Sequence, residues 1–276
     1  CFNVSGSCAW NSLCGVDYNC FGVDFNGDGK SDMAGYSSSG RWHVTLSNSL
    51  PAARITKIVN VRKEIRLTYD YLTNPSIYAK RSDLSYPKLN YQGAMSVVSR
   101  VDMSNGIGGF GRLDYKYEGA FADLQGRGFR GFRRITTTNH TSGTKEITEL
   151  DRDYRCTASK IKWVERRLIS NNRLIERVDN TIQYRGSYSN RVFFSYISRA
   201  VAKNYELNGS LVNQLTTDFT YDTYGNLTRK HMAFTGGHSR TENRYYYNNT
   251  SSWILGQLTS ERITRVRSAD PPSPAE

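Results

Sequence analysis

The stretch Phe219-Thr-Tyr221-Asp222-Thr-Tyr224-Gly225-Asn226-Leu227-Thr228 decides the fold class. Alternation puts Tyr221 and Asp222 on opposite sides of a strand. Gly225 and Asn226 allow a tight turn with positive φ, and Leu227 restarts the next strand. The same flavour of Tyr-rich strand, turn and strand echoes in LTYDYL at 67–72 and LDYKYEG at 113–119, so a degenerate internal repeat is expected.

Working outward, the rest of the chain reads the same way. ARITKIV, EIRLTYDYL, AMSVVSRVDM, RLDYKYEG, GFRRITTTN and KEITELDRDY alternate apolar and polar residues and are bounded by Gly, Asn, Ser or Pro. SKIKWVERRLIS and RLIERVDNTIQY could compose one amphipathic helix. Asn171-Asn172 interrupts them, however, and Ile161, Trp163 and Ile169 share strand parity, so a hairpin is expected. The chain has 276 residues with 19 Tyr, 11 Phe and only 6 Pro, and this aromatic composition favours strands. The fold class is therefore all-β and antiparallel.

The formal net charge is +12, yet residues 1–50 hold only Lys30 and Arg41 against Asp17, Asp24, Asp28 and Asp32. The cations elsewhere are spread along alternating segments, as on the solvated faces of strands, so no specific nucleic-acid partner is read. Aromatic and Arg side chains together would suit a cell-surface glycan or another anionic polymer. No apolar run is long enough to span a bilayer. Cys1, Cys8, Cys14 and Cys20 match no zinc spacing and suggest disulfides in an exported protein. The start at Cys1 and the polar end at 268–276, expected to be disordered, read as a processed or truncated piece.

Asp24-Phe-Asn26-Gly-Asp28-Gly-Lys30-Ser-Asp32 places side-chain oxygens at positions 1, 3, 5 and 9 and a carbonyl at position 7. Hard oxygen ligands at this spacing wrap one Ca²⁺. An EF-hand would need Glu at position 12, where Gly35 stands, and MAGYSSSGRWHVTL at 33–46 reads as a hairpin rather than a helix. The loop is similar to the calcium loops of FG-GAP/VCBS repeats, which join strands of a β-propeller blade. That resemblance implies side-chain ligation by Asp24, Asn26, Asp28 and Asp32, carbonyl ligation by Lys30, and a structural role for the ion.

The segment around Tyr221 resembles the YD repeat of Rhs-type proteins, whose repeats wind into a hollow β shell. RITKIVN at 54–60, SVVSRVDMSNGIGG at 96–109, ADLQGRGFRGFRRI at 122–135 and SSWILGQLTSERITR at 251–265 extend the resemblance. Together they look like bacterial insecticidal toxin complex B subunits and virulence plasmid B proteins, where a calcium-loop propeller passes into YD shell. The family usually has a Gly-bearing turn where Asn60-Val-Arg-Lys63 stands.

The resemblance implies an FG-GAP/VCBS-like segment at 1–52, YD-repeat shell at 53–267 and a tail at 268–276. It also implies a secreted or cell-surface bacterial protein, and other subunits or segments of a toxin complex as partners. The expected function is non-catalytic: part of a shell that encapsulates or delivers a toxin. A calcium-assisted extracellular carbohydrate or anionic-polymer binding module is the alternative, and a hydrolase using Asp151 and Asp153 a further one. GIGGFG at 106–111 matches a dinucleotide fingerprint, but RLDYKYEG after it reads as a strand, where phosphate binding would need a helix.

Overall fold

The computed structural model describes residues 18–23, 32–37, 39–46, 54–60, 63–93, 95–125, 127–151, 160–187 and 192–267. All regular elements there are β-strands, and the paired strands form open antiparallel sheets, with one short parallel pairing. Two compact units divide the chain, residues 1–122 and 123–276.

The first unit opens with β1 (Tyr18–Val23), β2 (Asp32–Ser37) and β3 (Trp42–Thr45), a three-stranded antiparallel sheet in that order. The expected hairpin at 33–46 is β2 and β3, in register Met33↔Thr45 to Tyr36↔Trp42. Next come β4 (Lys57–Asn60), β5 (Lys63–Tyr71), β6 (Tyr78–Ala79), β7 (Lys88–Asn90), β8 (Ser96–Ser104), β9 (Phe110–Glu118) and β10 (Phe121–Asp123). β4, β5, β8 and β9 pair in that order, and β6 runs parallel to β9. Asn60↔Lys63 closes the β4–β5 hairpin although no Gly stands there.

Leu72, Ala120 and Phe121 are fully buried and Tyr78 nearly so. The Tyr78 hydroxyl donates to the Tyr91 carbonyl (2.6 Å) and accepts from the Ala120 amide (3.1 Å), so a buried polar atom is satisfied on both counts. Burial pushes the Tyr117 hydroxyl up to about 12.

The second unit comprises β11 (Gly128–Phe129), β12 (Arg134–Asn139), β13 (Thr144–Leu150), β14 (Ile161–Leu168), β15 (Leu174–Ser187), β16 (Val192–Tyr205), β17 (Leu211–Tyr221), β18 (Leu227–Phe234), β19 (Ser239–Asn249) and β20 (Ile254–Val266). From β12 to β20 each strand pairs antiparallel with the next, a meander without crossovers. SKIKWVERRLIS and RLIERVDNTIQY are the hairpin β14–β15, with Asn172 at φ 58 between them.

At three positions this unit departs from the solvated charged face expected from sequence. Glu149, Glu165 and Glu242 are 6–7% exposed, and each meets two arginines. Side chains two apart on a strand share a face, so Glu165-x-Arg167 and Arg240-x-Glu242-x-Arg244 pair along their own strand. Glu149 takes Arg134 from the strand opposite, at 2.9 Å. These six arginines, 22–37% exposed, hold the three acids inside the sheet, while Arg166 and Arg199 lie on the solvated face.

Candidate functional site

The turn between β17 and β18 organises the densest constellation in the second unit. The Asp222 amide donates to the Asn226 carbonyl (3.0 Å), and the Gly225 amide to the Asp222 carbonyl (3.3 Å). The Asp222 carboxylate then gathers the turn: Oδ1 accepts from the amides of Tyr224 (2.9 Å) and Asn226 (2.8 Å), and Oδ2 from the Asn226 side-chain amide (2.8 Å). Burial alone would raise the Asp222 carboxyl, but the Asn226 side chain and the amides of Asn226, Tyr224 and Gly225 outweigh it and hold it below the ordinary value. Gly225 sits at φ +90, where a Cβ would lie 3.1 Å from the Phe194 ring, so only glycine fits without displacement.

An aromatic cluster from β16 receives this turn. Phe194 stacks on Tyr196 at 5.4 Å, and Tyr221 meets both, at 5.7 Å from Phe194 and 5.2 Å from Tyr196. Arg185, from β15, lies over the Tyr196 ring at 5.2 Å. Its guanidinium donates to the carbonyls of Tyr221 (2.7 Å) and Asp222 (2.8 Å). Arg185 thus ties three successive strands to one turn, and its planar fork suits two neighbouring acceptors.

The turn is not unique. Glu206–Ser210, between β16 and β17, closes by the same bonds, Glu206 amide to Ser210 carbonyl and Gly209 amide to Glu206 carbonyl, both 2.8 Å. Phe234–His238, between β18 and β19, repeats them at 2.9 and 3.2 Å. The fourth residue is a positive-φ glycine each time: Gly209 at 96, Gly225 at 90 and Gly237 at 82. Three consecutive hairpins thus use one device, a turn followed by a left-handed residue, and in the first two the register shifts next to it. In the first unit, Asn105–Gly109 shares the first of these bonds, Asn105 amide to Gly109 carbonyl at 3.0 Å, with Asn105 Oδ1 accepting from the amides of Ile107 and Gly109 as Asp222 Oδ1 accepts in its own turn.

The repeat therefore lies in turn geometry more than in the Tyr-Asp pair. Asp70 and Asn74, in LTYDYL and just after it, do reproduce the side-chain bond of Asp222 and Asn226 at 2.8 Å. LDYKYEG, read from sequence as another echo, is the interior of β9 and its end instead.

Of the sequence-derived calcium ligands, Asp24, Asn26, Asp28 and Lys30 lie outside the described residues. Asp32 is the first residue of β2, 1% exposed, and its register partner is Val23 at the end of β1. The segment from 24 to 31 therefore connects two paired strands. Asp151 follows β13, while Asp153 and the four N-terminal cysteines before β1, save Cys20 within it, lie outside the described residues, as does Cys156. GIGGFG forms the β8–β9 turn and the first residues of β9, with no helix to present amides to a phosphate. Among the described residues no helix is long and apolar enough to cross a membrane.

The comparisons with known proteins agree with this picture. The family model described as the insecticide toxin TcdB middle/N-terminal region matches residues 11–163. The crystal structure of TcdB2-TccC3 is similar over 90% of this chain, with a TM-score of 0.51 and 12% identity. That of TcdB2-TccC3-Cdc42 is similar over 89%, with a TM-score of 0.50 and 12% identity. At such identity the likeness is one of fold, and this chain spans 17% of each of those chains. No curated protein matches. The family match takes in more than half of the residues, and the chain belongs to the family of the insecticide toxin TcdB middle/N-terminal region.

Proposed function

We propose that this chain is a non-catalytic stretch of wall in a secreted bacterial toxin-complex protein of the YD-repeat kind, part of a β shell that encapsulates or delivers a toxin. The observation that carries the reading is the set of three successive hairpins closed by one five-residue turn. A wall extended by adding hairpins needs a connection that repeats the same geometry each time, and here the device recurs although the side chains at its first position are Glu206, Asp222 and Phe234. The family and the fold shared with TcdB2-TccC3 support other toxin-complex subunits as partners.

Residues 1–52 are, in this reading, the end of a calcium-loop propeller. Asp24, Asn26, Asp28 and Asp32 would hold Ca²⁺ by side chain and Lys30 by its carbonyl. The pairing of Val23 with Asp32 and the burial of Asp32 support this, since an inward-facing carboxylate at the mouth of a hairpin loop suits an ion in that loop. The ion would neutralise clustered carboxylates and fix the loop.

Protease protection tests the shell. In the full-length protein assembled with its cargo segment, Arg185→Ala combined with Gly225→Val is expected to speed digestion of the enclosed segment severalfold while leaving assembly detectable. Unchanged protection, with the turn shown to be broken, would contradict a wall role for this region.

A further inference from the structure

Beside the Asp222 turn a groove of about 490 Å³ opens along β17–β19, lined among others by Thr220, Thr228, Arg229, Asn243 and Tyr245. The register Thr220↔Arg229↔Asn243↔Arg262 sets four side chains side by side across the strands. Tyr245, two residues from Asn243 and so on the same face, is 55% exposed. Arg229 and Arg262 are exposed and have no acidic partner among the described residues, unlike Arg244, which is held by Glu261 and Glu242. The Asn243 amide and the Thr220 hydroxyl likewise have no partner among the described residues. Asp222, on the rim, has its carboxylate turned to its own amides.

We propose that this groove is a binding site for a carboxylate-bearing sugar, of the uronic or sialic acid class, with Arg229 taking the carboxylate and Tyr245 the ring. A planar guanidinium without an internal acid matches a carboxylate in geometry and charge. An exposed aromatic ring offers a platform to the apolar face of a pyranose. The Thr220 hydroxyl and the Asn243 amide can both donate and accept, as a hydroxyl-rich ligand requires, while the Thr228 hydroxyl already donates to the Thr220 carbonyl. An acidic peptide fits less well: the strand amides and carbonyls beneath the groove are committed to the ladder, so an extended chain finds no main-chain partners there. The shell reading does not require this site, and either can fail without the other.

The test is surface plasmon resonance on the purified full chain, over immobilised oligosaccharides ending in glucuronate or sialate, their neutral counterparts, and polyglutamate. Retention on an acidic sugar is expected, about tenfold weaker on neutral sugar and in Arg229→Ala or Tyr245→Ala. Arg173→Ala, which removes an equal charge from the β14–β15 turn, should bind like the parent chain. Arg229→Gln keeps the side chain's bulk and serves if the alanine variant loses its β-sheet circular dichroism. No retention, equal retention on polyglutamate, or equal loss in Arg173→Ala would each overturn the proposal, the last two by revealing general charge attraction.

Discussion

Arg185 donates a 2.8 Å hydrogen bond to the carbonyl of Asp222, 37 positions along the chain. The same guanidinium stacks over Tyr196 and binds the Tyr221 carbonyl, so a single side chain couples the aromatic cluster beside it to a turn two strands away. Arg185→Lys keeps the charge but loses the fork. It is expected to cost about 1–2 kcal/mol, since two charge-assisted bonds become one at most. Chemical denaturation followed by tyrosine fluorescence would measure it, and parent-like stability would show that the clamp contributes nothing.

Asp222→Asn removes a charge from a carboxylate that accepts three hydrogen bonds. The folded carboxyl lies below its ordinary value of 3.8. Its stabilisation is therefore complete above the unfolded value and is lost as pH falls through the folded one. Parent and variant should differ most at neutral pH and converge in acid below that value. Thermal melts from pH 7 down to about 2 would display the convergence; a constant gap would mean the carboxylate's charge is irrelevant to the turn.

Gly209→Ala and Gly225→Ala separate backbone strain from packing. Both glycines have positive φ, but a Cβ at position 209 meets nothing within 4 Å, whereas at 225 it presses on Phe194. Each substitution should cost about 1–2 kcal/mol for the left-handed backbone, and Gly225→Ala about 1 kcal/mol more. Equal losses would place the Phe194 ring free to yield.

Much of this was legible beforehand, and the exceptions share a cause. Turns and strands depend on neighbours in sequence: Asn171-Asn172 marked the β14–β15 hairpin, and Gly225-Asn226 marked the turn. Glu206–Ser210 lacks the Tyr-Asp pair's aspartate, and only Asn208-Gly209 signals its turn. Contacts set by the sheet were not legible. Arg185 reaches its carbonyls only after β15, β16 and β17 align, and Glu165 is buried only because Arg167 and Arg177 close over it. An Arg-x-Glu-x-Arg alternation, as at 240–244, was the available hint.

Glu165→Ala tests that buried pairing. Glu165 receives a bidentate Arg167 at 2.8 and 3.1 Å and Arg177 at 3.2 Å, and its loss strands the half-buried Arg167, while Arg177 keeps Asp179 at 2.8 Å. A cost of about 2–4 kcal/mol is expected. Glu146→Ala breaks only an exposed 3.4 Å contact to Arg166 and should cost under about 1 kcal/mol. Urea midpoints within error of each other would mean that burial confers no special value on the pair.

Calcium should stabilise the first unit alone. A ligand that binds only the folded state adds RT ln(1 + [L]/Kd), about 2.7 kcal/mol at a hundredfold excess over Kd. The thermal midpoint of the chain should therefore rise with added Ca²⁺, and Asp28→Ala should abolish the rise. Asp32→Asn discriminates further. Asp32 begins β2 opposite Val23 and is 1% exposed, so its carboxylate sits where the chain leaves the loop. If that carboxylate holds the ion, the asparagine variant responds only weakly to Ca²⁺. A parent indifferent to Ca²⁺ would reduce the loop to an acidic turn and leave the strand meander as the basis of the shell reading.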